Sequence, residues 1–304
     1  MAAQPAALTI AVSFTESVKP HLAALRFDYS DAAPFLHAAG EELGLADHLR
    51  RLPEKCSHQS MPWDFWVIFL FLGIVVPWRG AVRLKKLLAL PSVSTKEKLV
   101  LYGSTIAGQW VITAIVTWRA LARGLSPGTL GLAKYGGART VLASLALAAI
   151  SGALHWLNLR RVGKSPGKAT ELMRLLARRI LPANTVELLP YGALAVTAGV
   201  CEEFLYRGFA MGALSRMGFP AWSVVILTAV LFGLAHVYQG RSGILGTFVM
   251  GILFGGIRLA YDTLVPVMMM HIMVDLVAGI AGPRYLLPKV MERTEVVQSP
   301  GVAG

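Results

Sequence analysis

The sequence predicts an all-α membrane protein, a polytopic helical bundle of about seven to eight transmembrane helices. Of its 304 residues, 55% are hydrophobic and only 15% are charged, and the mean hydropathy is +0.57. The apolar residues gather in runs close to the ~20 residues that a helix needs to cross a bilayer. The basic residues fall mostly in the gaps between these runs, as the positive-inside rule expects.

The charge and the cysteines exclude several classes of function. A net charge of +12 could indicate nucleic-acid binding, but no basic stripe with interleaved aromatic residues is present, so we expect no nucleic-acid partner. The two cysteines, Cys56 and Cys201, lie far apart without a CxxC neighbour. We therefore predict no disulfide framework and no thiolate metal site, and expect Cys201 to be a packing residue.

The chain divides into four predicted regions. Residues 1–61 are a polar segment to which we assign no function, and within it residues 35–52 could form an amphipathic surface helix bearing His37 and Glu41. Two such side chains do not make a metal site. Residues 62–182 hold N-terminal transmembrane helices and basic loops, residues 183–285 a catalytic transmembrane core, and residues 286–304 a C-terminal tail.

Seven apolar runs are predicted to cross the membrane, at residues 63–78, 99–118, 140–157, 188–210, 222–238, 244–260 and 264–281. Residues 172–181 are predicted to lie along the interface. The first and third loops between the runs are the most basic, and positive-inside would put both in the cytoplasm and the N-terminus outside. The first loop is expected to carry Arg79, Arg83, Lys85, Lys86, Lys96 and Lys98.

Residues near the ends of these runs, and one pair of glycines, allow further predictions about their surroundings. Asp64 lies at the edge of the first run, and His155 and Arg258 lie within a turn of run ends, so we expect the latter two to reach the interface. Gly251 and Gly255 form a small-xxx-small pair, which predicts close approach of a neighbouring helix.

Three charged residues inside the fourth run require an explanation. Glu202, Glu203 and Arg207 lie within six residues, and a charge at bilayer depth costs at least ~2.5–3.5 kcal/mol. Glu203 and Arg207 are four apart, so a helix places them on one face, where they can neutralise each other. A purely structural ion pair would account for these two residues but would leave Glu202 without a local partner.

More polar residues are expected at the depth of Glu202. The turn between the fourth and fifth runs falls at residues 218–220, and Glu202 and His236 lie 17 residues before and after Phe219. In an antiparallel hairpin both are about 25 Å from the turn. His271 and Asp275, four apart on the last run, reach the same level if the hairpin extends about 10 Å beyond the hydrocarbon. We predict that these four side chains share one buried cavity.

This set of side chains favours hydrolysis by activated water. A glutamate beside a histidine can hold a water and take its proton, and a second histidine with an acid can stabilise an oxyanion. The same atoms could instead bind Zn²⁺ through His236, His271 and a carboxylate. No HExxH pattern is present, so we favour a mechanism without metal or other cofactor and keep zinc as the alternative.

The three motifs resemble those of a known family. Residues 202–207 fit EExxxR, residues 232–236 fit FxxxH, and residues 271–275 fit HxxxN/D. In this order they resemble the CAAX protease and bacteriocin-processing (CPBP) family, whose type II CAAX prenyl endopeptidase-like members are intramembrane glutamic proteases. The resemblance covers about residues 185–280 and implies a fold of eight helices.

The resemblance also implies a role for each motif residue. Glu202 with His236 would activate water, and His271 with Asp275 would form the oxyanion site. Asp275 stands where eukaryotic-type enzymes have asparagine, and an ionised carboxylate cannot donate to an oxyanion, so Asp275 would stay protonated or orient His271.

The remaining motif residues would support this cavity. Glu203 and Arg207 would order it, and Phe232 would pack against its wall. We assign no role to Tyr206 or Tyr238.

The favoured function is therefore an intramembrane endopeptidase of a bacterial cytoplasmic membrane, with a membrane-embedded or lipid-modified (CAAX-type) protein or peptide as substrate and with membrane lipids around it. A non-catalytic membrane partner protein and a proton-coupled transporter remain as alternatives. The complete triple motif favours the endopeptidase, and no inverted repeat with broken helices supports the transporter.

Overall fold

The computed structural model describes residues 60–133, 137–164 and 167–287, and these form eight helices without a strand. The 35–52 segment, His37, Glu41 and Cys56 lie outside the described residues. The helices are α1 Trp63–Ala89, α2 Thr95–Ala122, α3 Gly137–Lys164, α4 Lys168–Ile180, α5 Thr185–Arg216, α6 Ala221–Ala235, α7 Gly240–Tyr261 and α8 Val265–Leu286.

The predicted all-α polytopic bundle is confirmed. A helix stands at each of the seven predicted apolar runs, and six of the helices are long and apolar enough to cross a membrane. The seventh, α6, has only 15 residues, about 22 Å at the helical rise, which is shorter than the hydrocarbon core. The amphipathic segment predicted at 172–181 corresponds to α4, which buries Leu176 and Ala177 and exposes Arg178.

Several helices extend beyond the predicted apolar runs, and this corrects the assignment of basic residues to loops. Arg79, Arg83 and Lys86 lie on α1, and Lys98 lies inside α2. Lysine and arginine are good helix formers, so a helix can leave the hydrocarbon without ending. At the start of α2 a capping box fixes the boundary: Ser94 Oγ accepts from the backbone N–H of Glu97, and the Glu97 carboxylate accepts from the Ser94 N–H.

The central helix of the bundle is α5, whose apolar window is the most buried of the six long helices. It packs against α2 and α8, and α8 packs against α3. Between Phe204 and Ala210 the α-helical hydrogen-bond pattern of α5 becomes π-helical, and all seven residues of that segment are buried. Single π turns within α-helices occur frequently at functional sites.

Two hairpins bring α5, α6 and α7 together. The turn from α5 to α6 is made at residues 217–220, where Gly218 adopts a left-handed φ of 83°. The α6–α7 pair packs through the predicted glycines: a Cβ on Gly251 would lie 2.9 Å from Ala229, and one on Gly255 would lie 3.0 Å from Val225. The predicted close approach at this glycine pair is therefore confirmed.

Two charged residues near helix ends, Asp64 and Arg258, are covered by other parts of the chain. Asp64 is buried and accepts hydrogen bonds from Arg119 and Arg123 of α2. Arg258 is buried rather than interfacial, because it donates to Asp262 at 3.1 Å and to the carbonyl of Thr129 in a loop that covers the end of α7.

The burial of His155 and Cys201 can also be compared with what the sequence predicts. The Nε2 atom of His155 is buried without a hydrogen-bond partner among the described residues, whereas the residue as a whole is half-buried, and its reach to the interface stays a prediction. The nearness of a residue to a helix end does not show whether another segment of the protein covers that end. Cys201 is fully buried, as expected of a packing residue.

Candidate active site

The structure places Glu202 and His236 opposite each other across the α5–α6 hairpin. The Oε2 atom of Glu202 lies 3.9 Å from Nε2 of His236. His236 follows the last residue of α6, and its Nδ1 lies 2.8 Å from the carbonyl oxygen of Phe232. Because a carbonyl can only accept, Nδ1 must carry the proton, and Nε2 is left as an acceptor facing the carboxylate in the neutral ring.

The other oxygen of Glu202 is held by a residue that the sequence analysis missed. The side-chain amide of Gln109, on α2, donates to Oε1 of Glu202 at 2.8 Å. One residue further along, the indole N–H of Trp110 donates to Thr197 of α5. An amide in the middle of an otherwise apolar run was the available signal for Gln109, since buried polar groups in membrane helices usually have a partner.

Glu203 has different partners from Glu202 and accepts hydrogen bonds from two donors with a single oxygen. Its Oε1 lies 2.7 Å from Nη1 of Arg207 and 2.7 Å from Nδ1 of His271. The contact with Arg207 agrees with the i,i+4 spacing. The contact with His271 was not anticipated, and it connects α5 to α8. Since Glu203 is paired with Arg207, it acts as the acceptor, and Nδ1–H of His271 is the donor.

The Arg207 guanidinium is stabilised by aromatic rings as well as by Glu203. Its central carbon lies 4.2 Å from the ring centroid of Phe232 and 5.4 Å from that of Phe254. The Phe232 ring is 4.6 Å from the ring of His236 and 6.0 Å from that of His271. Phe232 therefore packs between the two motif histidines and forms a cation–π contact with Arg207 beneath them.

Asp275 completes the set one turn beyond His271. Its Oδ2 lies 3.7 Å from Nε2 of His271, a separation that a bridging water or a small movement would close. The backbone carbonyl of Asp275 accepts from the hydroxyl of Tyr191 on α5, which fixes the backbone of α8 at this level.

Four side chains of the site are partly exposed, and two are fully buried. The side chains of Glu202, His236, His271 and Asp275 are 21%, 12%, 10% and 33% exposed, respectively. Glu203 and Arg207 are 0% exposed. The first four can reach a substrate, and the last two can act only through neighbours.

The possible metal ligands in the described part of the chain include the ring nitrogens of the two motif histidines. No group of three or more His, Cys, Asp or Glu side chains converges there in a way that could hold a metal ion. In both motif histidines Nδ1 has a hydrogen-bond partner, a carbonyl for His236 and a carboxylate for His271, which leaves Nε2 of each ring as the atom that faces the site.

Comparison with known families covers this same part of the chain. Residues 182–277 match the family model described as type II CAAX prenyl endopeptidase Rce1-like. This segment is a domain of the CAAX protease family. No curated protein and no solved structure matches the chain. The match includes the three motifs on α5, α6 and α8, whereas Gln109 lies outside it.

The match and the helices together describe the protein in broad terms. It is an integral, multi-pass membrane protein with a protease domain of the CAAX-processing type.

Proposed function

We propose that the protein is an intramembrane endopeptidase that hydrolyses a peptide bond of a membrane-anchored or prenylated CAAX-type substrate with a glutamate- and histidine-activated water. The observation that carries the proposal is the pair formed by Glu202 and His236. Two acceptor atoms on different helices face each other at 3.9 Å in a partly accessible site, an arrangement suited to binding the two hydrogens of one water.

The two acceptors would activate that water. Glu202 Oε2 accepts one hydrogen and His236 Nε2 the other, which aims the water oxygen away from both side chains and toward a bound carbonyl carbon. As the oxygen–carbon bond forms, Glu202 takes one proton as general base. Gln109 holds the second carboxylate oxygen, so Oε2 stays directed at the water.

Collapse of the tetrahedral intermediate needs a proton on the leaving amine. The proton taken by Glu202 can be returned to the amide nitrogen as the carbon–nitrogen bond breaks, so the enzyme ends the cycle in its starting state. No covalent acyl-enzyme is required, and the described residues around the pair offer no serine or cysteine nucleophile beside His236: Cys201, next in sequence to Glu202, is fully buried.

His271 is proposed to stabilise the oxyanion. Its Nδ1–H is committed to Glu203, so Nε2 is the atom that can reach the developing charge, and donation from Nε2 requires the doubly protonated ring. Asp275 faces Nε2 from the next turn and is placed to orient the ring. Buried and preorganised donors of this kind contribute strongly to transition-state stabilisation.

The proposed mechanism needs no metal, and zinc is kept as a separate hypothesis for metal analysis. A zinc ion between the two histidines would take Nε2 of both rings and a carboxylate oxygen as ligands, each about 2.0–2.2 Å from the metal. In the structure Nε2 of His236 lies 3.9 Å from a carboxylate oxygen of Glu202, and Nε2 of His271 lies 3.7 Å from one of Asp275.

We further propose the bacterial cytoplasmic membrane as the location, with the site open to the cytoplasm. Basic residues cluster at the end of α1, at the end of α3 and on α4. By the positive-inside rule these ends face the cytoplasm.

The proposal is tested with purified protein in liposomes and a prenylated CAAX peptide as substrate. Mass spectrometry should detect two fragments in the presence of the wild-type protein and intact peptide in the presence of Glu202→Ala. In cells, comparison of membrane peptides between the two forms should identify the physiological substrate. Solute flux driven by a pH gradient, without cleavage, would instead support a transporter.

A further inference from the structure

Arg83 is a cation beside the site that none of the motifs includes. It lies on α1, and its two terminal nitrogens donate at 3.0 Å to Thr105 Oγ1 and to Ser104 Oγ on α2. In the described segments no carboxylate forms an ion pair with Arg83. A guanidinium has five N–H donors in a planar fork, so two hydroxyl contacts leave donors for an anion.

Two independent sets of contacts connect Arg83 to residues that touch the catalytic pair. On α2, Thr105 is four residues before Gln109, whose amide binds Glu202. Residues four apart lie on one helix face, about 5–6 Å apart at Cβ. The hydroxyl that binds Arg83 is therefore one turn along α2 from the amide that holds the carboxylate proposed to activate water.

The second contact is made by α1 itself. Gly80, three residues before Arg83, is where α1 approaches the site: a Cβ there would lie 3.4 Å from the ring of Tyr238. That ring is 5.8 Å from the ring of His236. On α1, Arg83 thus lies about one turn beyond Gly80 toward the basic end that carries Lys86, and its partner Thr105 lies about one turn from Gln109 on α2.

The ends of CAAX-type substrates match this offset. The CAAX box is the C-terminus of its protein, so any bond cleaved within the box has one to three residues and a free carboxylate on its far side. An extended chain spans about 3.3–3.6 Å per residue. The carboxylate then lies about 3–11 Å from the scissile bond, a range that includes the rise of one helical turn, about 5.4 Å.

We propose that Arg83, held by Ser104 and Thr105, binds the C-terminal carboxylate of the substrate and so selects chain ends over internal sequences. This inference rests on the proposed peptidase function, and it adds where the end of the substrate binds relative to the bond that is cleaved. Arginine suits the task because its fork matches a carboxylate bidentately, which a lysine cannot do. The exposure of Arg83 leaves the fork open to an arriving chain end.

The experiment compares two forms of one prenylated CAAX peptide, with a free C-terminal acid and with a C-terminal amide. Wild-type protein in liposomes should cleave the acid with a kcat/KM about 10- to 100-fold higher, as expected for a charge-assisted bidentate contact. In Arg83→Gln the KM for the acid should rise by that factor and the amide should be cleaved as before. Arg83→Lys should retain part of the preference.

Arg79 provides a matched control because it lies one turn earlier on the same exposed face of α1. Arg79→Gln makes the same change in net charge and should keep the acid preference. Thr105→Val, which removes one of the two hydroxyls, should reduce the preference by less than Arg83→Gln does. Thermal unfolding of each variant verifies that it is folded.

The outcomes separate this inference from the proposed function. Equal cleavage of acid and amide by wild type, an unchanged preference in Arg83→Gln, or an equal loss in Arg79→Gln would each show that Arg83 is only a surface cation. Cleavage of neither peptide by folded wild-type protein would overturn the peptidase proposal and this inference with it.

Discussion

Glu203 accepts a hydrogen bond from Nδ1 of His271 at 2.7 Å, whereas its neighbour Glu202 faces His236 on another helix. Adjacent carboxylates on α5 therefore serve different halves of the site. One is closed off with Arg207 and holds the histidine proposed for the oxyanion, and the other is partly accessible and faces the histidine proposed for the water. Mutation of Glu203 should therefore mainly lower the stability of the protein, whereas mutation of Glu202 should mainly lower its activity.

Glu203→Gln should destabilise the protein strongly. It leaves the fully buried Arg207 without its counter-charge, and breaking one side of a buried ion pair typically costs about 3–5 kcal/mol. Thermal unfolding in detergent or liposomes should show a large fall in melting temperature. Glu202→Gln is the matched control and should melt close to wild type, because Glu202 is partly exposed and has no ion pair with an arginine or lysine in the described part of the chain. Equal melting temperatures for the two variants would argue against the buried role of Glu203.

Gln109→Leu should lower kcat and leave KM nearly unchanged. It removes the donor that holds Oε1 of Glu202, and a hydrogen bond to a charged group contributes about 1.5–3 kcal/mol, so a fall of about 10- to 100-fold is expected. Steady-state kinetics on a prenylated peptide would measure it. Trp110→Phe removes the adjacent hydrogen bond between the same two helices and should leave kcat near wild type. A similar loss in both variants would mean that Gln109 acts only through helix packing.

Gly199→Ala should disturb the alignment of α5 with α8. A Cβ on Gly199 would lie 2.9 Å from the backbone nitrogen of Ile272, next to His271, and adding a methyl to a packed contact typically costs about 1–3 kcal/mol. We expect a lower melting temperature and slower cleavage. Gly192→Ala, on the same helix with no atom within 4 Å of its Cβ, should be neutral or slightly stabilising. If Gly199→Ala matched that control, the close approach of the helices would not matter for the site.

Removal of divalent metals should leave cleavage unchanged. The proposed steps use protein carboxylates and imidazoles only, so no metal ion takes part in them. Peptide cleavage should be the same before and after dialysis against a chelator, and metal analysis of the active protein should find less than one zinc per chain. Loss of activity on chelation, restored by zinc, would favour the metallopeptidase alternative.

Whether a contact in the site could be predicted from the sequence depends on how far apart its two residues are along the chain. The meeting of Glu202 with His236 follows from counting residues to the Gly218 turn, because a helix has a fixed rise and a tight hairpin fixes the register. The Glu203–Arg207 pair follows from i,i+4 spacing. Both are local geometry, which sequence spacing determines.

Contacts between helices distant in sequence could not be counted in this way. Gln109 meets Glu202 because α2 packs on α5 with one particular rotation, and no spacing within either helix encodes that rotation. The burial of Arg258 depends on a loop that covers the end of α7. Helix lengths were underestimated because hydropathy reports where apolar residues end, whereas α1 continues as a helix through Arg83 and Lys86.

The most direct test of the account is the rate of prenylated-peptide cleavage by Glu202→Gln in liposomes, measured beside its melting temperature. The substitution keeps the shape of the side chain and removes its ability to take a proton. General-base catalysis typically contributes about 10²- to 10⁴-fold, so we predict a loss in kcat of that size with an unchanged melting temperature. Cleavage by folded Glu202→Gln protein within about 10-fold of the wild-type rate would contradict the central role of Glu202.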